Sequence, residues 1–219
     1  MAEVSASELT KVLIGNRDSF ATLIGKYFAE NYTGSHFEFF GGRGDNEETK
    51  DRFTYADVFA PNFLSMDVPA QLGYRLVEGD LAEKAAVLLS KIPVNKELHE
   101  FATNPLTGIP TELWNLIDPK STAVVRTSKL LARKRPHLLP ILDSVLKVAL
   151  VQGNRGRWNH YFQLFSDANL VKALEELQEK AVSIQPNFEN IAQLSLLRVL
   201  DIALWMKHRP ALFGKDGEK

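Results

Sequence analysis

The sequence predicts an all-α protein. Three observations carry that expectation. Apolar residues recur at three- and four-residue intervals along most of the chain, the spacing that aligns side chains on one face of a helix. Pro and Gly cut this pattern into short segments, as helix ends and turns require. Period-two alternation, the mark of a half-buried strand, is almost absent.

Taken in order, Leu9, Val12 and Leu13, then Phe20, Leu23, Ile24, Tyr27 and Phe28, give the first helical stripes. "YTGSHFEFFGGRGDNEETKDRF" (32–53) breaks the period with Gly and charges and reads as a loop, with "FEFF" as a candidate short strand. Thr54, with Asp57 three residues on, is an N-cap signal for a helix across "YADVFAPNFLSM" (55–66). Pro61 should kink or divide that helix. "DVPAQLGYRLVEG" (67–79) opens on an Asp cap and a Pro and ends at Gly79. "DLAEKAAVLLSKI" (80–92) is closed by Pro93, and "TELWNLI" (111–117), capped by Thr111, stops near Pro119.

"TAVVRTSKLLARK" (122–134) and "LLPILDSVLKVALVQ" (138–152) form two helices hinged at Arg135-Pro136. "GNRGR" is a loop. "WNHYFQLF" (158–165), "ANLVKALEELQEKAV" (168–182) and "IAQLSLLRVLDIALWMKH" (191–208) complete the set. The last is apolar on nearly all sides, as a central core helix is. About nine short helices joined by brief connections imply a single all-α domain over 1–210. Within it two lobes could divide near 94–110. The residues 211–219, ending "GKDGEK", form a disordered tail.

The chain of 219 residues contains no Cys. That excludes disulfides, thiolate metal sites and Cys nucleophiles and points to a reducing compartment, the cytoplasm. Neither a signal peptide nor a run of roughly 20 apolar residues is present, so no membrane partner is expected. The histidines at 36, 99, 137, 160 and 208 show no metal-ligand spacing, so neither a metal nor another cofactor is expected. Dinucleotide and hydrolase fingerprints are missing too.

Net charge is −1, but it is unevenly spread. Residues 120–160 hold nine Lys or Arg and one acid, Asp143, a net of +8, which leaves −9 for the rest. A concentrated positive field attracts anions unless acidic neighbours neutralise it within the fold. Arg126, Lys129 and Arg133 fall at three- and four-residue spacing on a helix, and Lys134 and Arg135 extend the run to its C-terminus. Cations there complement the helix dipole, but four basic groups in seven residues exceed that need. Arg155, Arg157, Trp158, His160 and Tyr161 follow, and basic groups interleaved with aromatics suit phosphate contact plus base stacking.

Asp143 sits among Leu138, Leu139, Ile141, Leu142 and Val145. A carboxylate in such a setting caps a helix, pairs with a cation or serves as an acid/base or electrostatic catalyst. Asp201 beside Arg198 on the core helix reads as a structural ion pair. "FFGGRGD" could cradle an anion on its backbone N–H groups. It lacks the ending of a phosphate loop, which leaves a flexible loop as the simpler reading.

Two resemblances bear on these residues. The segment Trp114 to Asp143 resembles, in outline, the helix-hairpin-helix DNA glycosylase superfamily. There "VVRTSKLLA" stands as the second hairpin helix, Arg126 at the position of a lyase nucleophile and Asp143 as the catalytic Asp. The hairpin glycines are missing from "DPKSTAVV", and Arg126 cannot form a Schiff base. The strings "YTGSHFEFFGG", "DRFTYADV", "KLLARKRPHLLPILDSVL" and "SLLRVLDIALWMKHR" resemble an uncharacterised actinobacterial family over most of the chain, which implies no activity.

Together these readings yield an expectation. The protein is a multi-helix domain with a helix-hairpin-helix-like core over about 114–145. It binds nucleic acid through Arg126, Lys129, Arg133, Lys134, Arg135, Arg155, Arg157 and Trp158. Asp143 is the catalytic residue if base excision occurs. The alternative is a non-enzymatic interaction module whose basic face docks on an acidic protein partner.

Overall fold

The computed structural model describes residues 3–29, 32–150, 157–185 and 189–213. The α-helices are α1 (Ala6–Gly15), α2 (Arg17–Ala29), α3 (Tyr55–Phe59), α4 (Ala70–Val77), α5 (Ala82–Leu89), α6 (Ile109–Ile117), α7 (Val124–Lys134), α8 (Ser144–Ala149), α9 (Arg157–Phe165), α10 (Ala168–Ile184), α11 (Glu189–Ala192) and α12 (Leu196–Phe213). Short 3-10 turns lie between them, and no strand occurs among the described residues. No described helix is long and apolar enough to cross a membrane. The chain divides into two compact units, Met1–Tyr32 with Leu142–Lys219, and Thr33–Ile141.

In the first unit, α10 packs on α1, α2 and α12, and α12 packs on α2 and α8. The core is Leu13, Phe20, Ile24, Leu146, Leu164, Phe165, Leu174, Leu177 and most of α12. Along α12, Leu196, Leu197, Val199, Leu200, Ile202, Ala203 and Leu204 are all buried, which explains its nearly continuous apolar run. The expected helix over 191–208 is divided between α11 and α12. Ser195 Oγ accepts the Arg198 N–H at 3.2 Å and opens a new helix there. Arg198 and Asp201 pair one turn apart, as read from the sequence. The capping box of Ser5 and Glu8 starts α1. Asp167 starts α10 by accepting from the N–H groups of Asn169 and Leu170.

In the second unit, α5 packs on α4 and α6, α6 on α7, and α3 on α4 and α7. Thr54 and Asp57 form the expected capping box of α3. That helix ends at Phe59 and continues through Pro61 as a 3-10 turn, Ala60–Leu64. Two expected caps are different. α6 starts at Ile109, with Gly108 before it, while Thr111 donates back to the Leu106 carbonyl. α4 follows Pro69 with no side-chain cap.

The helix expected over 138–152 is confined to α8. Pro136 and Pro140 remove N–H donors, and residues 139–143 run without helical structure. The helix-hairpin-helix-like core gains no support. In the turn between α6 and α7, the Asp118 carboxylate accepts the N–H groups of Thr122 (3.1 Å) and Ala123 (2.8 Å), donors the comparison would leave for a phosphate. The tail from 214 onward lies outside the described residues.

Asp167→Ala should cost about 0.5–2 kcal/mol, because two N–H groups of α10 lose their acceptor. Urea unfolding followed by circular dichroism at the helical band reads that loss.

Candidate functional site

The cations expected on a surface are inside the second unit. Arg133 is 2% exposed, Lys134 and Arg135 are 0%, and Lys129 is 3%. This corrects the expected phosphate-binding face at those four positions, because their donors are spent on internal acceptors. Lys129 Nζ donates to the Leu64 carbonyl at 2.8 Å. Arg126, half-buried, donates its Nε to the Asp67 carbonyl at 2.9 Å.

At the centre stands Asp57, 1% exposed. One oxygen accepts Arg133 Nε at 3.2 Å. The other accepts Lys134 Nζ at 3.0 Å, together with the N–H and hydroxyl of Thr54. Arg133 Nη1 also donates to the carbonyls of Phe37 (2.7 Å) and Glu38, and its Nη2 to that of Phe40. Lys134 adds the Thr49 carbonyl at 2.8 Å. Arg135 donates to the carbonyls of Ile92, Lys50, Lys134 and Leu89 and to the Asp51 carboxylate at 2.8 Å.

Buried charge is tolerated only when paired and fully hydrogen-bonded. Burial pushes Arg133, Lys134 and Arg135 below their ordinary values, and Asp57 or Asp51 opposes that shift.

The glycine-rich loop is laid over this hub. Gly44 lies so near that a Cβ would stand 2.3 Å from the Arg133 carbonyl oxygen and 2.8 Å from Asp57 Oδ1. A Cβ on Gly41, whose φ is +60°, would stand 2.5 Å from the Ala56 Cβ. Between them Arg43 has φ 73° and ψ 152°, a region that is strained for any residue with a side chain. Its guanidinium forks onto Asp45, at 3.0 and 3.1 Å, and lies over the Phe39 ring. Burial alone would raise the Asp45 pKa, but the hydrogen bonds and charge of Arg43 outweigh it and hold the group below 3.8. The loop therefore makes specific contacts with the hub, which the reading as a flexible loop did not foresee. It also explains why "FEFF" is no strand: three of its carbonyls bend toward one guanidinium.

Glu38, Arg43, Asp45 and Arg133, with Phe37, Ala132 and Pro136, line a cavity of about 10 Å³. That is about the space of one water, too small for an organic substrate. His137 follows the hub, its Nδ1 2.6 Å from Glu97 Oε1.

The outer side of the same segment is aromatic. Phe40, Phe59 and Phe63 form a triangle with ring centroids 5.1–5.5 Å apart. His36 lies against Phe63 at 5.5 Å. Phe40 is 37% and Phe59 50% exposed, and Tyr55, one turn before Phe59 on α3, is 57% exposed. Phe63 and Leu64 pack inward on Phe37, Ala60, Ala132 and Ile141. The triangle thus joins the core on one side and solvent on the other.

The remaining sequence candidates lie in the first unit. Asp143 is the N-cap of α8, accepting the Val145 N–H at 2.8 Å. This is one of the three roles read for it. Trp158 is half-buried on α9, whereas Tyr161, 3% exposed, has no face for a base. Arg155 and the side chain of Arg157 lie outside the described residues. Among those residues, no group of three His, Asp or Glu could hold a metal.

Sequence reasoning missed the acids. The Thr54-x-x-Asp57 signal gave Asp57 one role, but its second role depends on residues more than seventy positions away. The exposed aromatics were legible only as helix periodicity.

Asp57→Ala should destabilise the protein by about 3–5 kcal/mol, because two buried cations lose their counter-charge. Chemical unfolding measures it, and a loss below about 1 kcal/mol would contradict the hub. The Asp45 contribution has a fixed sign. Its folded pKa lies below 3.8, so its stabilisation is present above 3.8 and lost as pH falls through the folded value. Asp45→Asn should therefore flatten the fall in melting temperature below about pH 4.

A family model described as a family of unknown function (DUF6308) matches residues 20–208. No curated protein and no solved structure matches the chain.

Proposed function

The chain belongs to that family of unknown function, and from the site itself we propose that it is an interaction module. It docks an apolar segment of a partner protein on the face of Tyr55, Phe59, Phe63 and Phe40. One observation carries this reading: the exposed aromatic triangle is held in place by a buried charge hub. The guanidinium that binds the Phe40 carbonyl also binds Asp57, two residues before Phe59.

Rings fixed before binding lose little entropy on contact, and clustered aromatics are the side chains that dominate protein interfaces. Arg133, Lys134 and Arg135, which would have met phosphates, are turned inward. The face offers apolar area with a polar margin, where the Tyr55 hydroxyl donates to Glu78 at 2.5 Å. An apolar protein segment suits that chemistry better than a polyanion. The competing occupant is a single-stranded nucleic acid stacking its bases on the same rings.

Selection from a random peptide library should enrich peptides with apolar anchors at helical spacing. Phe40→Ser with Phe59→Ser should weaken their binding at least about tenfold, which is about 1.4 kcal/mol. Phe40 and Phe59 are partly exposed but pack on each other and on Phe63, so the melting temperature should fall moderately, and binding is compared well below it. Enrichment of acidic peptides, or equal binding by the double variant, would refute the reading. So would tight binding of single-stranded DNA that the two changes abolish.

A further inference from the structure

The C-terminal half of α12 holds a second aromatic arrangement, independent of the docking face. Tyr32 and Trp205 meet as a corner, with ring planes at 88° and centroids 6.0 Å apart. Tyr27 braces the corner from inside. It lies nearly parallel to Tyr32 at 6.0 Å and edge-on to Trp205 at 6.1 Å, and it is 3% exposed. Its hydroxyl accepts Arg198 Nη2 at 3.3 Å, and Arg198 is itself paired with Asp201. The two outer rings are half-buried.

The corner already contains a cation. Arg209 Cζ lies 5.1 Å from the Tyr32 centroid and 5.0 Å from that of Trp205. One guanidinium is therefore within reach of two ring faces, the attraction by which aromatic cages hold organic cations. At a half-exposed position that attraction is modest, so a second guanidinium can compete for the same ring faces. The walls do not depend on it, because Tyr27 and the Arg198–Asp201 pair hold them from behind. A preformed site loses little on filling.

We propose that the Tyr32–Trp205 corner binds an external guanidinium, the side chain of an arginine in a peptide, and that Arg209 is its internal competitor. The planar cation seen there is the shape of the ligand. A peptide arginine entering the corner displaces Arg209 to solvent.

The test uses the full chain labelled with ¹⁵N and N-acetylarginine amide as the probe. The Trp205 indole N–H resonance is assigned by its loss in Trp205→Phe. In Arg209→Ala the probe should shift that resonance saturably, with a dissociation constant on the order of 1–10 mM. The unaltered protein should bind about fivefold more weakly, equivalent to about 1 kcal/mol of internal competition. Tyr32→Ala in the Arg209→Ala background should abolish the shift. Arg209→Gln removes the charge and keeps a polar side chain, though a shorter one. It gives the same reading if Arg209→Ala does not fold. Equal affinity in the unaltered and variant proteins overturns the proposal. Failure of both Arg209 variants to shift saturably overturns it as well, each compared with sodium chloride at the same ionic strength.

Discussion

The carboxylate of Asp57 lies between Arg133 and Lys134 in the interior of the Thr33–Ile141 unit, and the loops around it depend on that contact. Three consecutive charged residues at the end of one helix are nearly inaccessible to water. Each would be strongly unfavourable there alone. Asp57 and Asp51 supply counter-charge, and a larger number of backbone carbonyls supply acceptors. A guanidinium has five donors in a rigid fork, so one Arg can gather several carbonyls that no regular element satisfies. Arg133 does this for residues 37–40, and Arg135 for the segments around Lys50, Leu89 and Ile92. Long loops without secondary structure thereby acquire fixed partners.

This arrangement separates the inside of the loop from its outside. Inside, Gly44 lets the chain approach the Arg133 carbonyl closer than any Cβ would permit. Outside, the same chain presents Phe40 beside Phe59 and Phe63. The positive-φ conformation of Arg43 is accompanied by its fork onto Asp45. Strain of this kind persists where surrounding contacts over-determine the backbone. The rigidity invested here is explained if the aromatic face must be ready before a partner arrives.

The charge asymmetry has a corresponding explanation. In the sequence, the segment 120–160 stands out because its cations are adjacent. In the fold, Glu38, Asp45, Asp51 and Asp57 act on Arg133 or Arg135 from a segment some eighty residues earlier. For Arg133, Lys134 and Arg135, the charge that would reach a distant polyanion is met by acids within a few ångströms. Net charge along a chain measures composition, whereas attraction at a distance depends on which charges remain solvated.

The helical class, the cap at Thr54, the break at Pro61, the buried run of α12 and the Arg198–Asp201 pair were all legible, because each rests on neighbours within a turn or two. The chain's own chemistry also gave three roles for Asp143, and its contacts display the N-cap among them. Sequence could not decide the destination of Arg133, Lys134 and Arg135. A basic run at a helix end is consistent with solvent, with phosphate or with buried acids, and the choice depends on partners far away in sequence. For the same reason the bend of residues 37–40, the closeness of Gly44 to α7 and the meeting of Phe40 with Phe59 belong to the tertiary structure. Local periodicity specifies which residues turn inward together; only packing decides which distant charge meets them there.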